Sequence, residues 1–334
     1  FNDNDNAYLQ KTFGSPTDAT NWTFSCWIKR CTLGTEQYFF HAGGAIYIRW
    51  GSDNKIRFRA YPTWDIETTA VFRDTSAWYH LVAKFANGAV TLYMNNTSVG
   101  SASVSDSTFT YFTNVAHAVG NGVGGGSASD HYMAECIGID GTAYNPSDFG
   151  ETNADTGEWV PIDPSGLTFG NNGFWLDFAD SSALGNDVSG NNNDFTSTAL
   201  ATNDQVTDTP TTNCATFNPL SFVTAATLSN GNLVCTAGAA YLGHPATMPI
   251  PTTGKWAFKM KVTGAVSGSN DGTLGFVADA YGNYTVNSST GVRTDHWYNG
   301  VHIGYFSGGN VRHSFSGAYS ETIHHSGTAT QTND

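Results

Sequence analysis

Trp22-Thr23-Phe24-Ser25-Cys26-Trp27-Ile28-Lys29 is the stretch that decides the fold class. In an extended strand successive side chains point to opposite faces, so Trp22, Phe24, Cys26 and Ile28 fall on one side and Thr23, Ser25, Trp27 and Lys29 on the other. This is a sandwich strand. The same period of two runs through Ala45-Ile46-Tyr47-Ile48-Arg49-Trp50 and, after the turn Gly51-Ser52-Asp53-Asn54, through Lys55-Ile56-Arg57-Phe58-Arg59. Those two runs predict a hairpin. A second hairpin is predicted where Trp78-Tyr79-His80-Leu81-Val82-Ala83 and Ala89-Val90-Thr91-Leu92-Tyr93-Met94 flank Asn87-Gly88, two residues that tolerate positive φ. Short strands recurring about every 8–12 residues indicate an all-β sandwich rather than βαβ units.

Working outward, the chain has 334 residues, and a single core usually stops growing near about 250, so two cores are expected. Aromatic and charged residues each make up 13%, the latter about half the usual share, so the polar surface must come from Ser, Thr, Asn and Gly. That composition favours strands and turns. A net charge of −14 without a Lys/Arg cluster would repel a phosphate backbone, which argues against nucleic acid, and it suits hard divalent cations. Cys26, Cys31, Cys136, Cys214 and Cys235 lack CxxC spacing and are odd in number; they read as reduced and mostly buried. No apolar run of about 18 residues offers membrane insertion. The sequence opens at Phe1 without Met, which reads as a fragment or a processed chain.

Three regions are expected. The first domain covers residues 1–140 and closes near Ala134-Glu135-Cys136-Ile137-Gly138-Ile139. Residues 141–219 form an irregular connector broken by Pro146, Pro161, Pro164 and Pro219, with a short helix expected at residues 146–149. Because the connector carries Phe169, Phe174, Trp175, Leu176 and Phe178, it is too apolar for a free linker and should pack against one or both sandwiches. Residues 220–334 form a second β module, with strands expected at 227–228, 233–236, 255–262, 272–277, 301–306 and 310–315. Its polar end makes it look incomplete.

Taken in order, Trp22-Thr23-Phe24-Ser25-Cys26-Trp27-Ile28-Lys29, Trp78-Tyr79-His80-Leu81-Val82-Ala83 and Leu92-Tyr93-Met94-Asn95 resemble the laminin-G/pentraxin-like jelly roll, a concanavalin-A-like fold, with Asn96 where that family carries a turn Gly. The resemblance covers roughly residues 7–140. Asn145-Pro146-Ser147-Asp148-Phe149-Gly150, Gly173-Phe174-Trp175-Leu176-Asp177-Phe178 and Asp208-Thr209-Pro210-Thr211-Thr212-Asn213-Cys214 look like a connector of phage virion proteins. Thr253-Gly254-Lys255-Trp256-Ala257-Phe258, Gly272-Thr273-Leu274-Gly275-Phe276-Val277 and Val301-His302-Ile303-Gly304-Tyr305 are similar to the start of SPRY-type sandwiches.

Candidate chemistry is sparse. Glucanases of this fold place alternating acids on one strand, two carboxylates about 5–5.5 Å apart supporting retaining hydrolysis. Asp65-Ile66-Glu67 is a partial echo without a third acid in register and reads as a solvated loop. His80 lies inside a strand signature and reads as a packed sheet residue rather than a base, and residues 120–126 as a Gly-rich hairpin tip. Asp177, Asp180, Asp187, Asn191, Asn193 and Asp194 form the densest oxygen run, a candidate calcium set, although such residues also make Asx turns without an ion. Loop aromatics are the candidate glycan contacts: Tyr61, Trp64 and Asp65, then Tyr281, Tyr284, His296, Trp297 and Tyr298. A ring stacks on a sugar's apolar face while Asp or Asn fixes hydroxyls; equally, these rings can cap a core or face a neighbouring subunit.

The resemblances imply a non-enzymatic phage virion protein on the particle surface. A tail-fibre or tail-tip role in host-surface glycan recognition is expected, with other virion proteins and a homo-oligomer as partners. One alternative is a head or tail decoration protein concerned with assembly. The other, from a different class, is a glycoside hydrolase on the same fold.

Overall fold

The all-β expectation holds. A computed structural model describes residues 1–43, 46–60, 64–103, 111–220, 226–237, 244–250, 253–257 and 259, together with short strands between 274 and 314; at 64, 65, 237 and from 274 onward it describes backbone alone. The chain divides into two compact units, Phe1–Pro219 with Asn230–Leu233, and Leu220–Ser229 with Val234–Asp334.

In the first unit the strands are β1 (Tyr8–Thr12), β2 (Asn21–Arg30), β3 (Gln37–Ala42), β4 (Ile46–Trp50) and β5 (Ile56–Ala60). After them come β6 (Trp64–Glu67), β7 (Trp78–Ala86), β8 (Ala89–Met94), β9 (Thr97–Ser103) and β10 (Ala116–Val119). Then follow β11 (His131–Asp140), β12 (Gly150–Thr152), β13 (Trp159–Pro161), β14 (Phe174–Leu176) and β15 (Thr196–Thr198). They build a seven-stranded antiparallel sheet, β15-β1-β10-β3-β4-β5-β6, and a six-stranded one, β14-β11-β2-β7-β8-β9.

The alternation in β2 does what its period requires. Trp22, Phe24, Cys26 and Ile28 enter one core with Phe40, Ile48 and Phe58 of the other sheet, and Phe24 stacks on Phe40 with centroids 4.5 Å apart. Full burial of such side chains is worth about 1.5–3 kcal/mol each, so two sheets with matched alternation close on one another. The predicted hairpins form at β4–β5 and β7–β8, and Asn87 and Gly88 take φ of 47° and 80°. At the β8–β9 turn Asn95 and Asn96 take φ of 46° and 65°, so Asn supplies the left-handed backbone for which the related family uses Gly.

The connector is part of the sandwich. β14 pairs with β11 and β15 pairs with β1, so residues 141–219 extend both sheets inside the same compact unit. The expected short helix is a single 3-10 turn, Pro146–Asp148, opened by Pro146 and by the Asn145 amide donating to Asp148 Oδ2. The connector also covers the outer face of the six-stranded sheet: Phe149 and Phe169 pack on Val82, Ile137 and Ile139, while Trp159 and Val206 pack beside Trp27, Trp78 and Tyr132. As a result Thr23, Ser25, Trp27 and Lys29 are as buried as their inward neighbours.

In the second unit the described strands are β16 (Ala226–Ser229), β17 (Val234–Ala237), β18 (Leu274–Gly275), β19 (Val286–Asn287), β20 (Gly291–Val292), β21 (His302–Tyr305) and β22 (Val311–Ser314). They form two antiparallel hairpins and a three-stranded sheet, β18-β21-β22. The strand expected at 255–262 is not seen where it is described: residues 255–257 and 259 have no regular structure, Trp256 is 61% exposed, and the rest of that stretch lies outside the described residues.

Candidate functional site

The sandwich has two outer faces, and their chemistry differs. On the six-stranded sheet the outward Thr23, Ser25, Lys29 and His80 each meet an internal partner. His80 Nδ1 accepts from the Trp159 indole N–H at 2.9 Å, which places the ring proton on Nε2, 2.8 Å from Ser25 Oγ. The imidazole therefore donates to the serine and cannot take its proton. Burial also pulls the His80 pKa down to about 3, and the ring stacks on Trp27 with centroids 4.6 Å apart. The reading of His80 as a packed sheet residue stands. Beside it, Lys29 Nζ lies 2.7 Å from Asp208 Oδ2, 2.8 Å from Asn213 Oδ1 and 2.5 Å from the Cys214 carbonyl oxygen. Asp208 Oδ1 accepts from Trp78 Nε1 and from the Cys214 amide, so this group of residues pins the connector to β2 and β7.

The outer face of the seven-stranded sheet is not closed by the connector. The β registers set two cross-strand rows on it, His41–Tyr47–Arg59–Asp65 and Tyr38–Arg49–Arg57–Glu67. Tyr38, Tyr47, Arg49, Arg57 and Arg59 are all half-buried. Tyr38 and Tyr47 meet edge to face at 5.1 Å, and the Arg49 guanidinium lies over both rings, 4.8 Å from the Tyr47 centroid, while pairing with Glu36. Burial raises the Tyr38 phenol and lowers the His41 imidazole. Glu67 is held below its usual range by hydrogen bonds from Lys55 and then Arg57, and Asp53 joins the same ion-pair group.

The Gly-rich tip, residues 120–126, is anchored to this face. The Val123 amide donates to His41 Nδ1 at 2.7 Å and the Gly124 amide to Gln10 Oε1 at 3.1 Å. Positive φ at Gly124, Gly125 and Gly126 lets the backbone make that bend. On the other side of Gln10 a cleft of about 390 Å³ runs along β1 and β15, lined by Tyr8, Gln10, Lys11, Thr12, Asp194 and Thr198 among others. Hydroxyls, a carboxamide and a phenol thus line a cleft on the same sheet as the Tyr–Arg rows.

The expected site residues fare unevenly. Tyr61, Tyr281, Tyr284, His296, Trp297 and Tyr298 lie outside the described residues. Trp64 and Asp65 belong to the edge strand β6 rather than to a loop, and the same holds for Asp65-Ile66-Glu67, because Ile66 is buried in the core and carries its neighbours into the sheet. In the strand register Asp65 is the backbone partner of Arg59. Sequence reading missed Tyr38, His41, Tyr47 and Arg49, although the outward positions of the predicted hairpin already contained two of them.

The candidate calcium residues close loops instead. Asp187 Oδ1 accepts from the Trp175 and Ser189 amides, and its Oδ2 from Ser189 Oγ and the Asn193 amide, all within 2.9 Å. Asp194 Oδ1 accepts from the Asp187 amide. Asn191 and Asn193 both turn their NH2 groups to backbone carbonyls, sharing the Gly173 oxygen. Asp177 accepts from the Ala179 amide and Asp180 from Ser182, each an Asx turn. Lone pairs spent on amides do not form a cage of six to eight oxygens, and no group of three or more His, Cys, Asp or Glu among the described residues could hold a metal ion. The set does not fit calcium.

Residues 2–135 match the concanavalin A-like lectin/glucanases superfamily model. The first sandwich is therefore a concanavalin-A-like jelly roll, and the expected laminin-G likeness holds for it. Among solved structures, a putative carbohydrate binding protein from Bacteroides ovatus ATCC 8483 is 13% identical, with a TM-score of 0.44 over 57% of this chain and 56% of that one. A heptameric SAP-like pentraxin from Limulus polyphemus is 16% identical, with a TM-score of 0.29 over 38% and 69%. Domain 4 of an extracellular arabinanase from Geobacillus stearothermophilus, in complex with arabinotriose, is 25% identical, with a TM-score of 0.32 over 38% and 64%. The chain thus spans little more than half of the first of these. No curated protein sequence matches it.

Proposed function

We propose that this chain recognises glycans without cleaving them, through the outer face of the seven-stranded sheet, as a surface component of a phage particle at the tail fibre or tail tip. The observation that carries the reading is the group Tyr38, Tyr47, Arg49, Arg57 and Arg59, left half-exposed on the same sheet as a hydroxyl-lined cleft. Tyr rings supply plates for the apolar face of a sugar, and guanidinium, carboxamide and hydroxyl groups supply directional hydrogen bonds to its hydroxyls. Engagement of Glu67 by Lys55 and Arg57 supports recognition rather than acid–base chemistry there. The virion setting rests on the connector's likeness to phage proteins. The second unit, with its three-stranded sheet β18-β21-β22, is read as a SPRY-like sandwich.

The test is binding of the purified chain to host cells and to a glycan array, with Tyr47→Ala, Arg49→Ala and Trp64→Ala beside it. Loss of binding in the first two with retained fold supports the site. Unchanged binding in both moves recognition elsewhere. Absence of glycan and cell binding in the unaltered chain favours assembly, a reading that the same Tyr and Arg enrichment supports, since both residues are common at protein interfaces.

A further inference from the structure

The buried Lys29–Asp208 pair and the exposed Asn213 beside it hold the three functional groups that an amide-forming side-chain condensation requires. Lys29 is fully buried and the Asp208 side chain only 4% exposed, walled by Trp27, Trp78 and Tyr132. The amine is 2.7 Å from a carboxylate oxygen and 2.8 Å from the carboxamide oxygen of a residue 184 positions away. Asn213 Nδ2 donates to the Ser76 carbonyl at 2.8 Å, which turns the amide oxygen toward Lys29. Trp78 Nε1 and the Cys214 amide hold Asp208 Oδ1 and leave Oδ2 to face the amine. Asn213 itself is exposed, so a small leaving group has a route to solvent.

We propose that Lys29 and Asn213 join through an isopeptide bond, with Asp208 relaying the protons. A proton passes from Nζ to Asp208 Oδ2 along their 2.7 Å contact, leaving a free amine and a carboxylic acid. The free amine attacks Asn213 Cγ, the Nζ–Cγ bond forms, and Asp208 protonates Nδ2 as the Cγ–Nδ2 bond breaks. Asp208 collects the remaining proton from Nζ and passes it to the departing ammonia, so one lysine ammonium and one carboxamide become one amide and one ammonium ion. No oxidant or reductant is involved. Such a bond would make the pinning of the connector onto β2 covalent.

Intact-mass measurement of the full unfolded chain tests this directly, because the bond removes ammonia and lowers the mass by about 17 Da. Fragmentation of a digest should give one branched peptide joining Lys29 to Asn213. Asn213→Ala, at an exposed position, should restore the full mass, and Asp208→Ala should leave the bond unformed. A full mass in the unaltered chain overturns the proposal and leaves a plain ion pair. So does a loss that persists in Asn213→Ala, which would place it at an Asn-Gly succinimide instead.

Discussion

On β2 the outward Thr23, Ser25, Trp27 and Lys29 are buried like their inward neighbours, whereas on β4 the outward Tyr47 and Arg49 stay half-exposed. Both strands alternate with the same period, and both send alternate side chains into one core. The difference comes from what lies above them. The connector covers the six-stranded sheet and must satisfy each polar group it encloses, so Lys29 finds Asp208 and His80 finds Ser25 and Trp159. On the seven-stranded sheet, Tyr and Arg side chains pair partly among themselves and stay half-exposed. Polar groups on a sandwich's outer face thus either fasten a cover or await a partner, and the pattern of strand residues alone does not separate the two.

The sharpest way to break this comparison is to remove one half of the fastening. In an Asn213→Ala background, where Lys29 and Asp208 stay an ion pair, Lys29→Met or Asp208→Leu alone strands a buried charge and should cost about 3–5 kcal/mol in urea unfolding, while the double replacement should recover much of it. Equal losses in the single and double variants would show that the pair is not what holds the connector. Trp159→Phe removes the donor to His80 Nδ1 and should cost about 1–3 kcal/mol. A neutral effect would mean that the connector lies loosely there.

Acid sharpens the same contrast. Burial lowers the pKa of His80, and also those of His131 and His41, so the unfolded chain binds protons that the folded chain refuses. For His80 stability is complete above the unfolded value of about 6.5 and is lost as pH falls from there toward about 3, at up to about 1.4 kcal/mol per pH unit. His80→Gln should flatten the dependence by one proton, measured as the slope of unfolding free energy against pH. An unchanged slope would remove His80 from the account. On the open face, Tyr47→Ala should cost only about 1 kcal/mol of stability while weakening glycan binding, separating ligand contact from fastening. Smallest of all, a chelator should leave the thermal midpoint where it is, because the Asp187 loop is closed by amides; a clear drop would reinstate an ion.

Much of the fold was legible along the chain. The β4–β5 and β7–β8 hairpins follow from alternation and from Asn87-Gly88, and Phe174, Trp175 and Leu176 marked a connector that had to pack. The Asp187 loop stayed open between an ion and Asx turns because oxygen-rich composition looks alike whether its lone pairs serve an ion or neighbouring amides. Trp64 and Asp65 were placed in a loop because four residues of β6 are too few to show a period, and Ile66 alone carries the core signal.

The β4–β5 and β7–β8 hairpins and the inward face of β2 were settled by the amino-acid sequence itself, because they depend on neighbours one to four residues apart, where side-chain direction and backbone preference act. Tertiary structure alone decided that Lys29 meets Asp208 across 179 positions, that the connector closes one sheet, and that Tyr38, His41, Tyr47 and Arg49 share the other. Those outcomes depend on which surfaces cover one another, and burial energy is a property of the assembled faces rather than of any stretch of chain.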